Sequence, residues 1–266
     1  MTKKTNAQFH FLTNVIGKMN IPFTISAAVF EERPALQERF QQQCQKIAAD
    51  LDQVNAVFSP FKPDSLVSRY ADGEREVMLD STDFQEVFLM ADQANQVTEG
   101  FFDPFFKGQY DPTGIVKGWA IEKIFNQRLR PLLTDSLVAG VALNGGGDIQ
   151  AAVANDSELT WMTGIEDPRQ PGYLIGKYPL TNAALATSGV NKRGEHIKRV
   201  ASPLMQVTIV DYSLTIADTW ATAGMAAGTK RFLELIKKHQ LTGVLIDAKI
   251  GEISFEKGQV HHAQTI

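Results

Sequence analysis

Cysteine is nearly absent from this sequence, and its scarcity excludes two kinds of protein. The only cysteine among the 266 residues is Cys44. The chain therefore cannot form a disulfide within itself, and it cannot hold zinc through a cluster of thiolates. The ordinary interpretation of Cys44, which lies in a polar run of glutamines, is a free thiol that is buried or half-buried.

Long apolar runs and blocks of like charge are also missing. No apolar run approaches the roughly 20 residues that span a bilayer, and residues 1–6 contain neither a hydrophobic signal segment nor a cysteine for lipidation. The 26 basic and 30 acidic residues are spread along the chain and give a formal charge of −4, which disfavours a polyelectrolyte that binds nucleic acid or a membrane surface. We therefore expect a cytoplasmic chain that neither inserts into a membrane nor binds nucleic acid.

The pattern of apolar residues predicts an α+β protein. Apolar residues at a spacing near 3.6 predict helices over 34–58, 81–100, 116–133 and 214–227, the last ending at Gly228. Short apolar and β-branched runs predict strands at 23–30, 138–143, 206–210 and 243–246, followed by a hairpin near Ile253 and Val260. Because no βαβ repeat and no linker composition are present, we expect one domain, residues 1–266, with mixed or antiparallel sheets.

Two glycine-containing segments have the residue types of a nucleotide site. Residues 111–120, Asp-Pro-Thr-Gly-Ile-Val-Lys-Gly-Trp-Ala, predict a turn into a helix, where backbone amides and Lys117 would suit a diphosphate; an ordinary capped turn is the alternative. Gly145, Gly146 and Gly147 follow a strand and would either admit a ligand close to the backbone or form a tight turn. Neither segment matches the G-x-x-x-x-G-K-S/T phosphate loop, which disfavours a nucleoside triphosphatase.

A third segment, in the last long helix, has residues that suit a metal ion. Asp218 and Thr222 are four residues apart and therefore share a helix face. One carboxylate and one hydroxyl, with a carbonyl from elsewhere, would suit Mg²⁺, which prefers oxygen ligands; a solvated face or a local hydrogen bond is the alternative. Among the five histidines, His196 is the candidate proton acceptor.

Taken in order, the short motifs of this chain resemble those of the ApbE family of FAD:protein FMN transferases, and the resemblance extends over nearly the whole sequence. Two departures are notable. The connection between residues 104 and 111 is shorter than is usual in the family, which suggests a compact member. Lys198, Arg199 and Val200 stand where the family has Asp-Pro-x-Thr-Gly after its histidine-isoleucine pair. The motifs lie at residues 19–23, 58–69, 102–104, 111–120, 144–148, 161–169, 186–189 and 218–222.

This resemblance implies an ApbE-like fold of two intertwined halves and a specific reaction. An acceptor serine or threonine hydroxyl would attack the FMN phosphorus of FAD, and AMP would leave. His196 would be the general base, and Mg²⁺ would be held by Gly114, Asp218 and Thr222. FAD is expected to contact Met19, Ser65, Lys117, Gly145, Gly146, Gly147, Asp148, Thr187 and Ser188.

Some alternatives stay open at this point. Lys117 could pair with a phosphate or simply cap its helix. A metal-dependent FAD pyrophosphatase would use water in place of the acceptor hydroxyl, and a catalytically silent protein would bind FAD without cleaving it. For the transferase, the expected partner is a redox protein that carries a serine or threonine flavinylation motif.

Overall fold

A computed structural model describes residues 9–106, 108–190 and 202–262, with only the backbone of His262. Its strands are β1 (His10–Lys18), β2 (Ile21–Val29), β3 (Val138–Gly145), β4 (Asp148–Val153), β5 (Trp161–Glu166), β6 (Leu174–Leu180), β7 (Ala183–Gly189), β8 (Leu204–Asp211), β9 (Thr242–Asp247), β10 (Gly251–Glu256) and β11 (Gln259–His262). Its α-helices are α1 (Pro34–Phe58), α2 (Leu66–Ala71), α3 (Thr82–Val97), α4 (Thr113–Ile124) and α5 (Leu214–His239).

Nine of these strands form one sheet in the order β1-β2-β3-β4-β7-β8-β9-β10-β11, and β5 pairs separately with β6. Within the described ranges every pair of neighbouring strands is antiparallel. The predicted α+β class is therefore confirmed, with antiparallel rather than mixed pairing.

The two faces of the large sheet are covered differently. Val141 and Leu143 of β3 belong to the main core, to which all five helices contribute side chains. Ala142, which points to the opposite face because side chains alternate along a strand, packs in a second core with Ile165 of β5 and Leu180 of β6. The helices thus lie on one face of the sheet, and the β5–β6 hairpin lies on the other.

The long helices follow the predicted periodicity, with two differences at their ends. Helix α1 has the predicted bounds, because apolar positions recur up to Phe58 and Ser59-Pro60 then stops the helix. Helix α4 begins at Thr113, earlier than expected, and gives way after Ile124 to a π-helical turn, Phe125–Leu129, and a 3₁₀ segment, Arg130–Thr134. No helix in the described part of the chain is long and apolar enough to cross a membrane.

Helix α5 consists of two arms joined at Gly228. Gly228 has φ 71° and ψ 167°, outside the helical region, so the predicted end of the helix at this residue is confirmed. The chain then resumes helical structure to His239. In a straight helix Trp220 and His239 would lie roughly 28 Å apart, yet their ring centroids are 4.6 Å apart. The second arm, residues 229–239, therefore folds back on the first arm, residues 214–227.

Candidate functional site

The contact between α4 and α5 brings small residues of one helix against polar residues of the other. A Cβ atom added to Gly118 would lie 2.8 Å from Asp218 Cβ and 2.9 Å from the Leu214 carbonyl oxygen. A Cβ atom added to Gly114 would lie 3.4 Å from Thr222 Cγ2. Only glycine allows the approach at Gly118, so the two helices meet closely there, whereas at Gly114 the close neighbour is a ring carbon of Phe102 at 2.9 Å. The structure thus brings together the three residues predicted to hold a metal, Gly114, Asp218 and Thr222.

The carboxylate of Asp218 lies in the interior, with the residue 3% exposed. Its Oδ2 accepts a hydrogen bond from the Gly118 amide at 3.0 Å, and its Oδ1 lies 3.7 Å from Lys117 Nζ. A buried charge is tolerated only where it is paired and hydrogen-bonded, and both conditions hold here. In a regular helix the Gly118 amide would donate to the Gly114 carbonyl. Here the same amide donates to Asp218, so any bond to the Gly114 carbonyl is shared with that carboxylate.

Lys117 links Asp218 to the sheet. Its ammonium group forms an ion pair with the carboxylate of Asp148, which is 1% exposed. Asp148 in turn accepts a hydrogen bond from the Thr187 amide at 3.1 Å. Lys117 therefore pairs with carboxylates, an arrangement that neither of the two predicted roles for this lysine describes. It joins α4, α5, β4 and β7 through one buried group of charges.

The end of β7 lies beside this group. Ser188 Oγ lies 3.4 Å from Thr222 Oγ1, within hydrogen-bonding distance. Thr187 Oγ1 lies 3.0 Å from Thr208 Oγ1 on β8. Of the two predicted nucleotide contacts on this strand, Ser188 is thus next to the candidate metal ligands, whereas the hydroxyl of Thr187 is engaged with the neighbouring strand.

The glycines after β3 form a tight turn. Gly145 pairs with Asp148 across the β3–β4 hairpin, and the two residues between them have positive φ, 61° at Gly146 and 99° at Gly147, as a type I′ turn requires. At Gly145 an added Cβ would lie 2.6 Å from a ring carbon of Phe23. The tight turn thus accounts for Gly146 and Gly147, and the close packing of Phe23 accounts for Gly145; the contact of these glycines with a nucleotide stays a prediction.

The start of α4 is an Asx turn, and its N-cap residue, Pro112, makes no side-chain hydrogen bond. The Thr113 amide donates to Asp111 Oδ1 at 3.1 Å, and the amides of Ile115 and Val116 donate to the Pro112 carbonyl at 2.9 and 3.1 Å. Three of the amides expected to meet a diphosphate are therefore already bonded within the chain. Lys117 is left as the main source of positive charge in this segment.

The remaining predicted residues lie in three different situations. Met19 forms the turn of the β1–β2 hairpin with Asn20, next to the glycine turn, because the Gly146 amide donates to the Pro22 carbonyl. Ser65 is 1% exposed and caps α2, accepting from the Ser68 amide at 3.2 Å. Its hydrogen bonds within the described residues stay between residues 59 and 69. His196 lies outside the described residues.

The close packing at Gly118 was not predicted from the sequence, although the spacing of the glycines in this helix indicated it. Gly114 and Gly118 are four residues apart, as are Asp218 and Thr222, so each pair shares one helix face. Two glycines at this spacing indicate a helix that packs closely against a neighbour. Across residues 9–106, 108–190 and 202–262, no group of three or more His, Cys, Asp or Glu side chains could hold a metal ion, so any site here depends on hydroxyl and carbonyl oxygens as well.

The fold of this chain is similar to that of several solved flavin transferases. The flavinyl transferase ApbE from Pseudomonas stutzeri is similar with a TM-score of 0.72 at 16% identity, covering 94% of this chain and 95% of that one. The flavin transferase ApbE from Vibrio cholerae gives 0.67 at 16%, covering 94% and 98%. The ApbE protein from Thermotoga maritima gives 0.70 at 17%, covering 97% of each chain.

Sequence comparison leads to the family itself. A model of the ApbE family matches residues 107–246, just over half of the chain. The chain therefore belongs to the ApbE family. A search of curated proteins gives no match.

Proposed function

We propose that this protein transfers FMN from FAD to a serine or threonine hydroxyl of an acceptor protein and releases AMP, in a reaction that requires Mg²⁺. Family membership and the similarity of the fold to solved flavin transferases support the proposal. The observation that carries it is the buried group at the α4–α5 contact, where Asp218 faces Gly118 and Thr222 faces Gly114.

The donor set at this contact fits magnesium. Asp218, Thr222 and the Gly114 carbonyl are the residues that would hold the ion, and all three donors are oxygen, as Mg²⁺ prefers. A backbone carbonyl has two lone pairs, so that of Gly114 could bind an ion while also accepting from a helix amide. When bound, Mg²⁺ would neutralise charge on the diphosphate and act as a Lewis acid.

The side chains around the contact would hold and orient the substrate. Lys117 places a cation between two carboxylates; it would hold Asp218 in position for the ion, and the charge of the diphosphate would be balanced mainly by Mg²⁺. Ser188, beside Thr222, offers a hydroxyl for the nucleotide. In this proposal Met19, Gly146 and Gly147 form the neighbouring wall, and Thr187, Asp148 and Gly145 support it from the sheet. For Ser65, contact with FAD is proposed only from the resemblance of its motif to that of the family.

His196 is proposed as the general base that takes the proton of the acceptor hydroxyl. The assignment follows from its motif and from the ability of imidazole to accept a proton near neutral pH. The acceptor is proposed to be a redox protein of the cytoplasm that carries a serine or threonine motif.

The deciding experiment is to incubate the protein with FAD and Mg²⁺, with and without a candidate acceptor domain, and to measure AMP, free FMN and the acceptor mass. Release of AMP with an FMN-sized mass gain on the acceptor is the expected result. AMP and free FMN without an acceptor would instead identify a pyrophosphatase, an alternative favoured by the unusual Lys198-Arg199-Val200 sequence after His196. Bound FAD with neither product would refute both enzymes.

A further inference from the structure

Glu122 holds the first turn of α5 from the neighbouring helix. It lies on α4 four residues beyond Gly118, on the side that faces α5. Its Oε2 accepts three hydrogen bonds, from Ser213 Oγ at 2.7 Å, from the Thr215 amide at 2.9 Å and from Thr215 Oγ1 at 2.7 Å. One carboxylate oxygen thus binds three donors at the start of another helix.

This contact suits the chemistry of a helix N-terminus. The first amides of a helix have no partner within it, and the helix dipole favours negative charge there. Ser213 already caps α5 by accepting from the Ile216 amide at 3.3 Å. Glu122 adds a second acceptor that belongs to α4, so the cap also connects the two helices.

The three points of contact between the helices lie in register. From one end to the other, Glu122 meets Ser213 and Thr215, Gly118 meets Asp218, and Gly114 meets Thr222. The Gly118 contact includes one hydrogen bond, from the Gly118 amide to Asp218 Oδ2, and the Gly114 contact is with carbon atoms of Thr222 and Phe102. The Glu122 contact adds three hydrogen bonds, which require donors at fixed positions and so oppose sliding of one helix along the other.

We propose that Glu122 is a positioning residue that sets the register of α5 on α4. In this register Asp218 meets the Gly118 amide, and Thr222 lies beside Gly114. Glu122 acts through these residues and does not itself contact substrate or metal. The part of the inference that concerns metal affinity rests on the proposed function, whereas the part that concerns helix register does not.

The first test measures register without metal. Amide hydrogen exchange at Gly118 is compared in the wild-type protein, Glu122→Ala, Glu122→Gln and the control Glu86→Ala. Glu86 accepts from Trp119 and Lys123 on another side of α4, so its removal weakens packing of α4 without touching α5. We expect exchange at Gly118 to become about tenfold faster in Glu122→Ala, the scale of a lost hydrogen bond to a charged group. Glu122→Gln, which keeps one acceptor oxygen, should lie between.

The second test measures the site. Mn²⁺ is titrated as a probe for Mg²⁺, and kcat and KM for FAD are determined well below the unfolding temperature of the least stable variant. We expect the Mn²⁺ Kd to rise about tenfold in Glu122→Ala, as for other residues that support metal ligands. We expect kcat to fall more than KM changes. Glu86→Ala should leave the Mn²⁺ Kd as in the wild type.

The outcomes separate this inference from the proposed function. If Gly118 exchange and Mn²⁺ affinity respond alike in the Glu122 and Glu86 variants, the inference is overturned. If Glu122→Ala does not fold, Glu122→Gln gives the same comparison with a smaller perturbation. If the wild-type protein binds no Mn²⁺ and transfers no FMN, the proposed function fails, while exchange at Gly118 still decides whether Glu122 sets the register.

Discussion

The two arms of α5 are adjacent in sequence but differ in what they bury. The first arm, residues 214–227, consists mostly of small and polar residues, and it buries Asp218 and Thr219 among alanines. The second arm, residues 229–239, is an ordinary amphipathic helix. It buries Phe232, Leu235 and Ile236 and exposes lysines and a glutamate. One of these lysines, Lys238, forms an ion pair with Glu99, which lies just after the end of α3.

The arms therefore differ in the charged groups that they bury rather than in whether they stabilise the fold. Burial of large apolar side chains is the dominant favourable contribution to folding, and both arms supply it, the first through Leu214, Trp220 and Met225. Only the first arm also holds a buried carboxylate, which must be paired to be tolerated in the interior. Substitutions of the buried apolar residues of the second arm should therefore lower stability, and substitution of Asp218 in the first should change the site.

The largest effect should come from the second arm. Phe232 is fully buried, and Phe232→Ala should lower the free energy of unfolding by about 3–5 kcal/mol through lost burial and a cavity. Urea denaturation measures this change. The control is Lys230→Ala at an exposed position, which should change the free energy of unfolding by less than about 0.5 kcal/mol. Among molecules that remain folded, Mn²⁺ affinity should be unchanged; a large loss of affinity would show that the arms are not separable.

The second prediction concerns the carboxylate of the first arm. Asp218→Asn keeps an oxygen that can accept from the Gly118 amide but removes the charge, so we expect FMN transfer to fall by at least about 100-fold with a smaller change in stability. AMP release from FAD measures the rate. Glu234→Gln, an exposed change in the second arm, is the control. Full Mg²⁺-dependent transfer by Asp218→Asn would refute the metal assignment.

The third prediction tests the close contact of the helices. Gly118→Ala would place a methyl group within 2.8 Å of Asp218 Cβ, and such overpacking should cost about 1–3 kcal/mol of stability. Gly176→Ala on β6 is the matched control, because a Cβ there meets nothing within 4 Å. Urea midpoints and Mn²⁺ affinity are measured together. Equal effects of the two substitutions would mean that α4 and α5 have room to separate.

The smallest expected effect is a pH dependence in the second arm. Burial, and to a lesser extent the nearby Lys238 ammonium, lower the pKa of His239 below its ordinary 6.5. The unfolded chain then binds a proton more readily than the folded one, so stability should fall as the pH falls from about 6.5 through the folded pKa. His239→Gln should reduce this loss between pH 7 and 5, as measured by urea midpoints. An identical pH profile in the variant would exclude His239 as its source.

Much of the fold was accessible from the sequence where patterns are local. The apolar spacing of α1 and the Ser59-Pro60 stop gave both ends of that helix. The spacing of Asp218 and Thr222 predicted a shared face, and the shared face is observed. The three glycines after β3 allowed a tight turn, which is what the chain forms there.

Other features depend on contacts that a local pattern does not contain. Strand β4 is buried on both faces along its whole length, so it lacks the alternation that marks a strand at a surface. The ion pair of Lys117 with Asp148 and the hydrogen bond of Gly118 to Asp218 join residues that are distant in the chain. The second arm was missed for a different reason. Gly228 was interpreted as the end of the helical region, although Phe232, Leu235 and Ile236 recur at helical spacing directly after it.

The reversal at Gly228 also bears on the order in which the molecule folds. Because Phe232 packs on Gly224 and His239 on Trp220, the two arms meet through contacts of short sequence separation, which cost little loop-closure entropy. By contrast, the pairing of β2 with β3 joins residues far apart in the sequence, such as Thr24 and Asn144. We expect the hairpin of two arms to form early. The hydrogen bond between Gly118 and Asp218 should form later, after the distant strands have paired.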